Sequence, residues 1–169
     1  TCALPIWFGV CYDKDGVKSK TRGTIGTKTF ESGLDAFNEI VNYEIVEGAW
    51  CYLYNREFFI KNKFKFREGT LHEDFGLVPL IIIKAKSIKC ISYVGYNYLI
   101  RENSIMNTND YPKVLKKAWD FMEHFKYLLE ESSLEKGDLK IFKSFIANSV
   151  ILKSSTLNIY GVSYDKFSI

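Results

Sequence analysis

Strand-like and helix-like hydrophobic patterns keep replacing one another in this chain before residue 112, and that alternation limits the folds open to it. Short β-rich runs alternate with helical patterns as far as residue 107. Two long amphipathic helices are then predicted, over residues 112–131 and 138–154. This order predicts a mixed α/β domain followed by a two-helix tail. The longest apolar run, residues 77–83, falls well short of the ~18 residues that a membrane-spanning helix needs. Abundant Phe, Tyr, Ile, Leu and Val exclude intrinsic disorder, and 169 residues suffice to bury a core without disulfides. The net charge of +3 is too mild for a dedicated nucleic-acid binder, so no nucleic acid is expected as partner. Cys2, Cys11, Cys51 and Cys90 show no CxxC pair, which predicts buried reduced thiols in a cytoplasmic protein.

Local signals sharpen this outline. Residues 7–20 read as a hairpin, with Asp13-Lys14-Asp15-Gly16 as its turn. Residues 22–28, with Gly23 and Gly26, read as a loop; no GK[ST] follows, so this Gly-x-x-Gly is not a phosphate cradle. Ser32 is a plausible N-cap for a helix with Leu34, Phe37, Ile40 and Val41 on its apolar side, and Asn55 for a second helix over residues 56–62. Phe64-Lys65-Phe66 alternates as a strand does, and Arg67-Glu68-Gly69 is turn chemistry. A strongly apolar helix is predicted from Thr70 to Lys86, bent or shortened by Pro79. Two strands, residues 88–93 and 96–100, are expected around Val94-Gly95.

The acidic pair Glu73-Asp74 is the main candidate for chemistry. At the start of a helix, backbone N–H groups and the helix dipole favour ionised carboxylates, and an ionised carboxylate beside a substrate hydroxyl can act as general base. A purely structural role competes with this. Thr70-x-x-Glu73 has the form of a capping box, which accounts for Glu73 and leaves Asp74 unexplained. His72 receives no role, and His124, among Phe121, Phe125 and Leu128, reads as helix packing or surface. Asp13-Lys14-Asp15 has the letters of an Asp-x-Asp metal motif, but it sits on a hydrophilic hairpin tip.

The series Trp50-x-x-Leu53-Tyr54-Asn55-Arg56-Glu57-Phe58-Phe59, Phe64-x-Phe66-x-Glu68-Gly69, His72-Glu73-Asp74 and Tyr96-x-Tyr98-x-x-Arg101-x-x-Ser104-Ile105 resembles the acceptor-side half of bacterial family 2 glycosyltransferases. These GT-A-fold enzymes build capsule, exopolysaccharide and lipopolysaccharide chains. The resemblance covers residues 7–107 and implies the C-terminal part of a GT-A-like mixed sheet with flanking helices. Residues 108–169 would be a helical extension. It implies that Asp74 is the base that deprotonates an acceptor hydroxyl for inverting transfer. Trp50 and Glu73 would border the acceptor, and Arg101 would neutralise phosphate on the donor or on a lipid-linked acceptor. The expected partners are a nucleotide-sugar donor and a glycan or lipid-linked acceptor.

Two further expectations follow from the resemblance. The half that binds the nucleotide, with the Asp-x-Asp motif that holds Mg²⁺ or Mn²⁺, should lie upstream of Trp7, so this chain by itself should bind no metal and be inactive. Residues 1–6 resemble the translated end of a sequencing-adapter oligonucleotide and are set apart from the fold. The tail helices carry seven lysines (Lys113, Lys116, Lys117, Lys126, Lys140, Lys143 and Lys153) beside wide apolar faces. They could rest on the inner face of a plasma membrane or pack on the domain, and surface facing a missing half could self-associate. The competing class is a non-catalytic α/β module whose helical tail docks on a membrane or a partner protein.

Overall fold

The protein is described by a computed structural model covering residues 5–22, 25–43, 47–100, 110–132, 140 and 142–149. It is mixed α/β, with a mixed, curled five-stranded sheet and flanking helices. The strands are β1 (Ile6–Lys14), β2 (Val17–Arg22), β3 (Lys28–Phe30), β4 (Tyr52–Leu53) and β5 (Ile88–Leu99). Their order is β2-β1-β5-β3, with β4 also paired to β1; β1 and β5 run parallel, and the other pairs are antiparallel.

The expected hairpin forms. Asp15 (φ 55°) and Gly16 (φ 80°) are both left-handed, as a tight turn matched to strand twist requires, and Asp13 Oδ1 accepts from the Gly16 amide at 2.9 Å. Ile6 belongs to β1, opposite Leu53 and Lys89, so backbone pairing begins inside the stretch set apart above. In place of two strands around Val94-Gly95 there is one. β5 runs through, and its register against β1 slips between Phe8 and Val10, so that Phe8 pairs with Ile91 but Val10 with Tyr96. Gly95 permits this slip, because a methyl group built there would overlap the Phe8 ring.

The helices are α1 (Gly33–Ile40), α2 (Arg56–Lys61), α3 (Val78–Lys84) and α4 (Tyr111–Glu131); residues 142–149 are also helical. Both expected caps are present. Ser32 Oγ accepts from the Asp35 amide at 3.3 Å, and Asn55 Oδ1 accepts from the Phe58 amide at 2.8 Å. The segment Phe64-Lys65-Phe66 is not a strand. Its alternation serves packing instead, with Phe64 against Phe58 and Phe59 (5.5 and 5.6 Å between ring centroids) and Phe66 against Phe59.

One core unites the sheet and the helices. Trp7, Phe37, Ile40, Leu80, Ile82 and Ile88 are at most 1% exposed, and Phe121, Leu128, Phe142 and Ile146 from the helical tail join them. The apolar side of α4 is therefore spent on the core, although Trp119 stays half exposed. Among the described residues no helix is long and apolar enough to cross a membrane. Cys11, Cys51 and Cys90 are buried free thiols, as expected; Cys2 lies outside the described residues.

Candidate functional site

Asp74 does not lie at the head of a helix. Residues 71–77 form a succession of bends and turns, and α3 begins only at Val78, where Pro79 fits the first turn without losing a helical hydrogen bond. The capping box is absent. Thr70 Oγ1 donates back to the Arg67 carbonyl at 2.8 Å, and the Leu71 amide donates to Asp120 Oδ2 at 2.7 Å. His72 takes a left-handed φ of 56°, which a helix cannot accommodate. The Asp74 carbonyl closes the turn by accepting from Leu77 (3.1 Å) and Val78 (2.8 Å).

This changes the electrostatics expected for the acid. The Asp74 side chain is half-buried, and its Oδ1 accepts from the Phe75 amide at 2.9 Å. Burial pushes its pKa up; the amides of Phe75, Ala49 and Asp74 itself pull it down, and the charge of Glu73 adds to the rise. The net direction is upward, opposite to that of a carboxylate held ionised by a helix N-terminus. An acid raised in this way holds its proton more tightly, which makes its ionised form a stronger base.

The Ala49 amide ties Asp74 to the short 3-10 turn Ala49–Cys51. Tyr54 fastens the same turn from its other polar side, its hydroxyl donating to the Ala49 carbonyl at 3.1 Å. Asp74 lies close enough to Cys51 and Tyr54 to raise both their pKa values, though burial is the larger cause in each. The next residue along the turn is Trp50. Its ring is stacked on Tyr96 (5.1 Å, 28° between planes) and tilted against Tyr98 (5.1 Å), which in turn meets Tyr12 at 5.4 Å. Tyr96 is 41% exposed, so one end of this aromatic row faces solvent.

Of the four residues singled out above, the structure joins two, Asp74 and Trp50, through the Ala49–Cys51 turn. Glu73 is exposed and acts on Asp74 through its charge, and Arg101 lies outside the described residues. The sequence reading gave no role to Tyr12, Tyr54, Tyr96 or Tyr98. The alternation Tyr96-x-Tyr98 places both rings on one face of β5, which was readable; the parallel pairing of Tyr12 with Tyr98 was not.

A groove of about 620 Å³ lies elsewhere, between residues 65–68 and α4. Lys65, Arg67 and Lys126 line it together with Glu68, Glu123 and Glu130, so its charges balance and it selects neither anion nor cation. No group of three His, Cys, Asp or Glu side chains among the described residues converges as metal ligands, and Asp13 is engaged in its own turn. No family model matches the chain, and no curated protein matches it.

Proposed function

We propose that the chain is the acceptor-side part of an inverting glycosyltransferase of the GT-A kind, with Asp74 as general base. What supports this reading is the pairing of a half-buried, pKa-raised carboxyl with an aromatic row across a single short turn. Sugar rings present flat C–H faces that pack well on aromatic rings, and their hydroxyls need a nearby acceptor. Trp50 and Tyr96 would carry the acceptor ring, and Asp74 would take the proton of its attacking hydroxyl. The freed oxygen then forms a bond to the anomeric carbon as the bond to the nucleoside diphosphate breaks, and the carbon is inverted. The nucleotide-sugar donor and the Mg²⁺ or Mn²⁺ that steadies its pyrophosphate belong, in this reading, to an upstream half. The acceptor would be a cell-surface or lipid-linked glycan, met at the inner face of the plasma membrane.

The test reads the sequence encoded upstream, joins the chain to the nucleotide-binding half that this reading expects there, and follows sugar transfer. Asp74→Asn should lower kcat by about 100- to 10,000-fold while acceptor binding persists. Trp50→Ala should mainly raise KM. Undiminished turnover in Asp74→Asn would falsify the base assignment. An upstream sequence with no cation-holding acidic motif would favour the non-catalytic module instead.

A further inference from the structure

Helix α4 does more than cover the core. Asp120 and His124 are one turn apart on it, beside the buried Phe121; the Asp120 side chain is 13% exposed and His124 not at all. Both reach the same residue of the Asp74 turn. Asp120 Oδ2 accepts from the Leu71 amide at 2.7 Å, and His124 Nε2 stands 3.0 Å from the Leu71 carbonyl oxygen. A carbonyl oxygen can only accept, so Nε2 carries the ring proton and Nδ1 is left as a bare lone pair. That Nδ1 is buried without a hydrogen-bond partner, pressed so closely on Gly76 that a methyl group there would overlap it.

The neighbours of Asp74 along the turn are held in the same way. The His72 ring lies 4.8 Å from that of Phe121, and the Phe75 ring 4.7 Å from it. Leu71, His72, Phe75 and Gly76 thus all meet α4. We propose that α4 sets the place of the Asp74 carboxyl, that Asp120 and His124 are positioning residues gripping Leu71 by both its backbone polar groups, and that protonation of His124 loosens the grip.

The charged groups facing His124 are Asp120 on its own helix and Arg67 and Glu73 from the opposing segment. Burial, the largest influence, drives the His124 pKa down; the bond to the Leu71 carbonyl and the two carboxylates favour the imidazolium without reversing that direction, and Arg67 opposes it. A second proton would fall on Nδ1, which faces Gly76 and has no acceptor. The unfolded chain takes up its proton at the ordinary histidine value, before the folded chain does. The grip is therefore at full strength above that value and weakens as pH falls below it.

The positioning role rests on the general-base reading of Asp74; the grip itself does not. Amide hydrogen exchange at Leu71, measured on the chain as it stands, reads the grip alone. Asp120→Ala should speed Leu71 exchange on the order of tenfold or more. It should also lower the Asp74 titration midpoint, followed by carboxyl ¹³C shifts, as the loosened turn admits water. In the parent, Leu71 exchange corrected for its intrinsic pH dependence should quicken between about pH 7 and pH 5. His124→Gln keeps a donor near the Nε2 position and should hold Leu71 while abolishing that pH response. Unchanged Leu71 exchange in Asp120→Ala would overturn the proposal, and so would a pH response that survives His124→Gln. Should Asp120→Ala fail to fold, the parent's ring ¹⁵N shifts decide: a neutral Nε2–H tautomer supports the grip, and the Nδ1–H tautomer sinks it. A slow, pH-sensitive Leu71 amide in an assembled enzyme indifferent to Asp74→Asn would refute the base and leave the grip standing.

Discussion

Ser32 and Thr70 both stand at the head of an apolar segment with an acidic residue three positions on, Asp35 and Glu73, and only Ser32 starts a helix. Behind Ser32 three early donors find a place. The Asp35 amide goes to Ser32 Oγ, the Ala36 amide to the Ser32 carbonyl, and the Gly33 amide to the Ala85 carbonyl at 2.9 Å. Behind Thr70 the first amide is taken by Asp120, 49 positions away, and the next residue turns left-handed. A cap works only where the backbone behind it is free to coil. Where a distant side chain captures the first donor, the same hydroxyl is left to close a local turn. That capture is what places Asp74 on a turn beside Ala49 instead of on a helix facing solvent.

The contrast can be broken most forcefully at glycine. Gly33 begins α1 under the end of α3, and a methyl group there would overlap the main-chain carbonyls of Ile82 and Ala85, which cannot rotate away. Gly33→Ala should destabilise the fold by about 3 kcal/mol in urea denaturation. Gly76 plays the matching part in the Asp74 turn, but its obstacle is the His124 ring, a side chain that can yield by giving up Leu71. Gly76→Ala should cost less, about 2 kcal/mol, and should also quicken exchange of the Leu71 amide. A cost at Gly76 equal to or above that at Gly33 would mean that the turn is as rigidly framed as the helix.

What the sequence made legible divides along the same line. The hairpin at Asp15-Gly16 and the caps at Ser32 and Asn55 depend on residues within four positions of one another, and each was readable. The strand expected at Phe64-Lys65-Phe66 failed because alternation requires a partner edge, and these rings met Phe58 and Phe59 instead. β5 ran through Gly95 because Phe8, far away in sequence, needed the space. In the candidate site, Asp74 and Trp50 were marked by motif, but the sign of the Asp74 shift was not. It depends on burial by chain that local pattern does not register, and on an amide at Ala49. The hold of α4 on Leu71 left no trace in spacing at all.

Ser32→Ala measures the working cap directly. Removing Oγ strands the Asp35 amide near the surface, where water partly replaces the lost bond, so the cost should be about 1 kcal/mol in the same denaturation experiment. The loss should appear first as fraying of α1, with faster exchange of the Asp35 amide than of the Ala36 amide, which keeps its backbone acceptor.

Thr70→Ala is the counterpart and should have the smallest effect. Its hydroxyl donates to the exposed Arg67 carbonyl, which water can satisfy as well, and it holds no helical amide. The change should fall under about 0.5 kcal/mol. Were Thr70 and Glu73 a working capping box, Thr70→Ala would match the loss at Ser32, and Glu73→Gln would preserve most of the reciprocal bond. A Thr70→Ala cost equal to that of Ser32→Ala would therefore restore the helix across Asp74. It would return that carboxylate to the ionising influence of a helix N-terminus and remove the burial that makes it a stronger base.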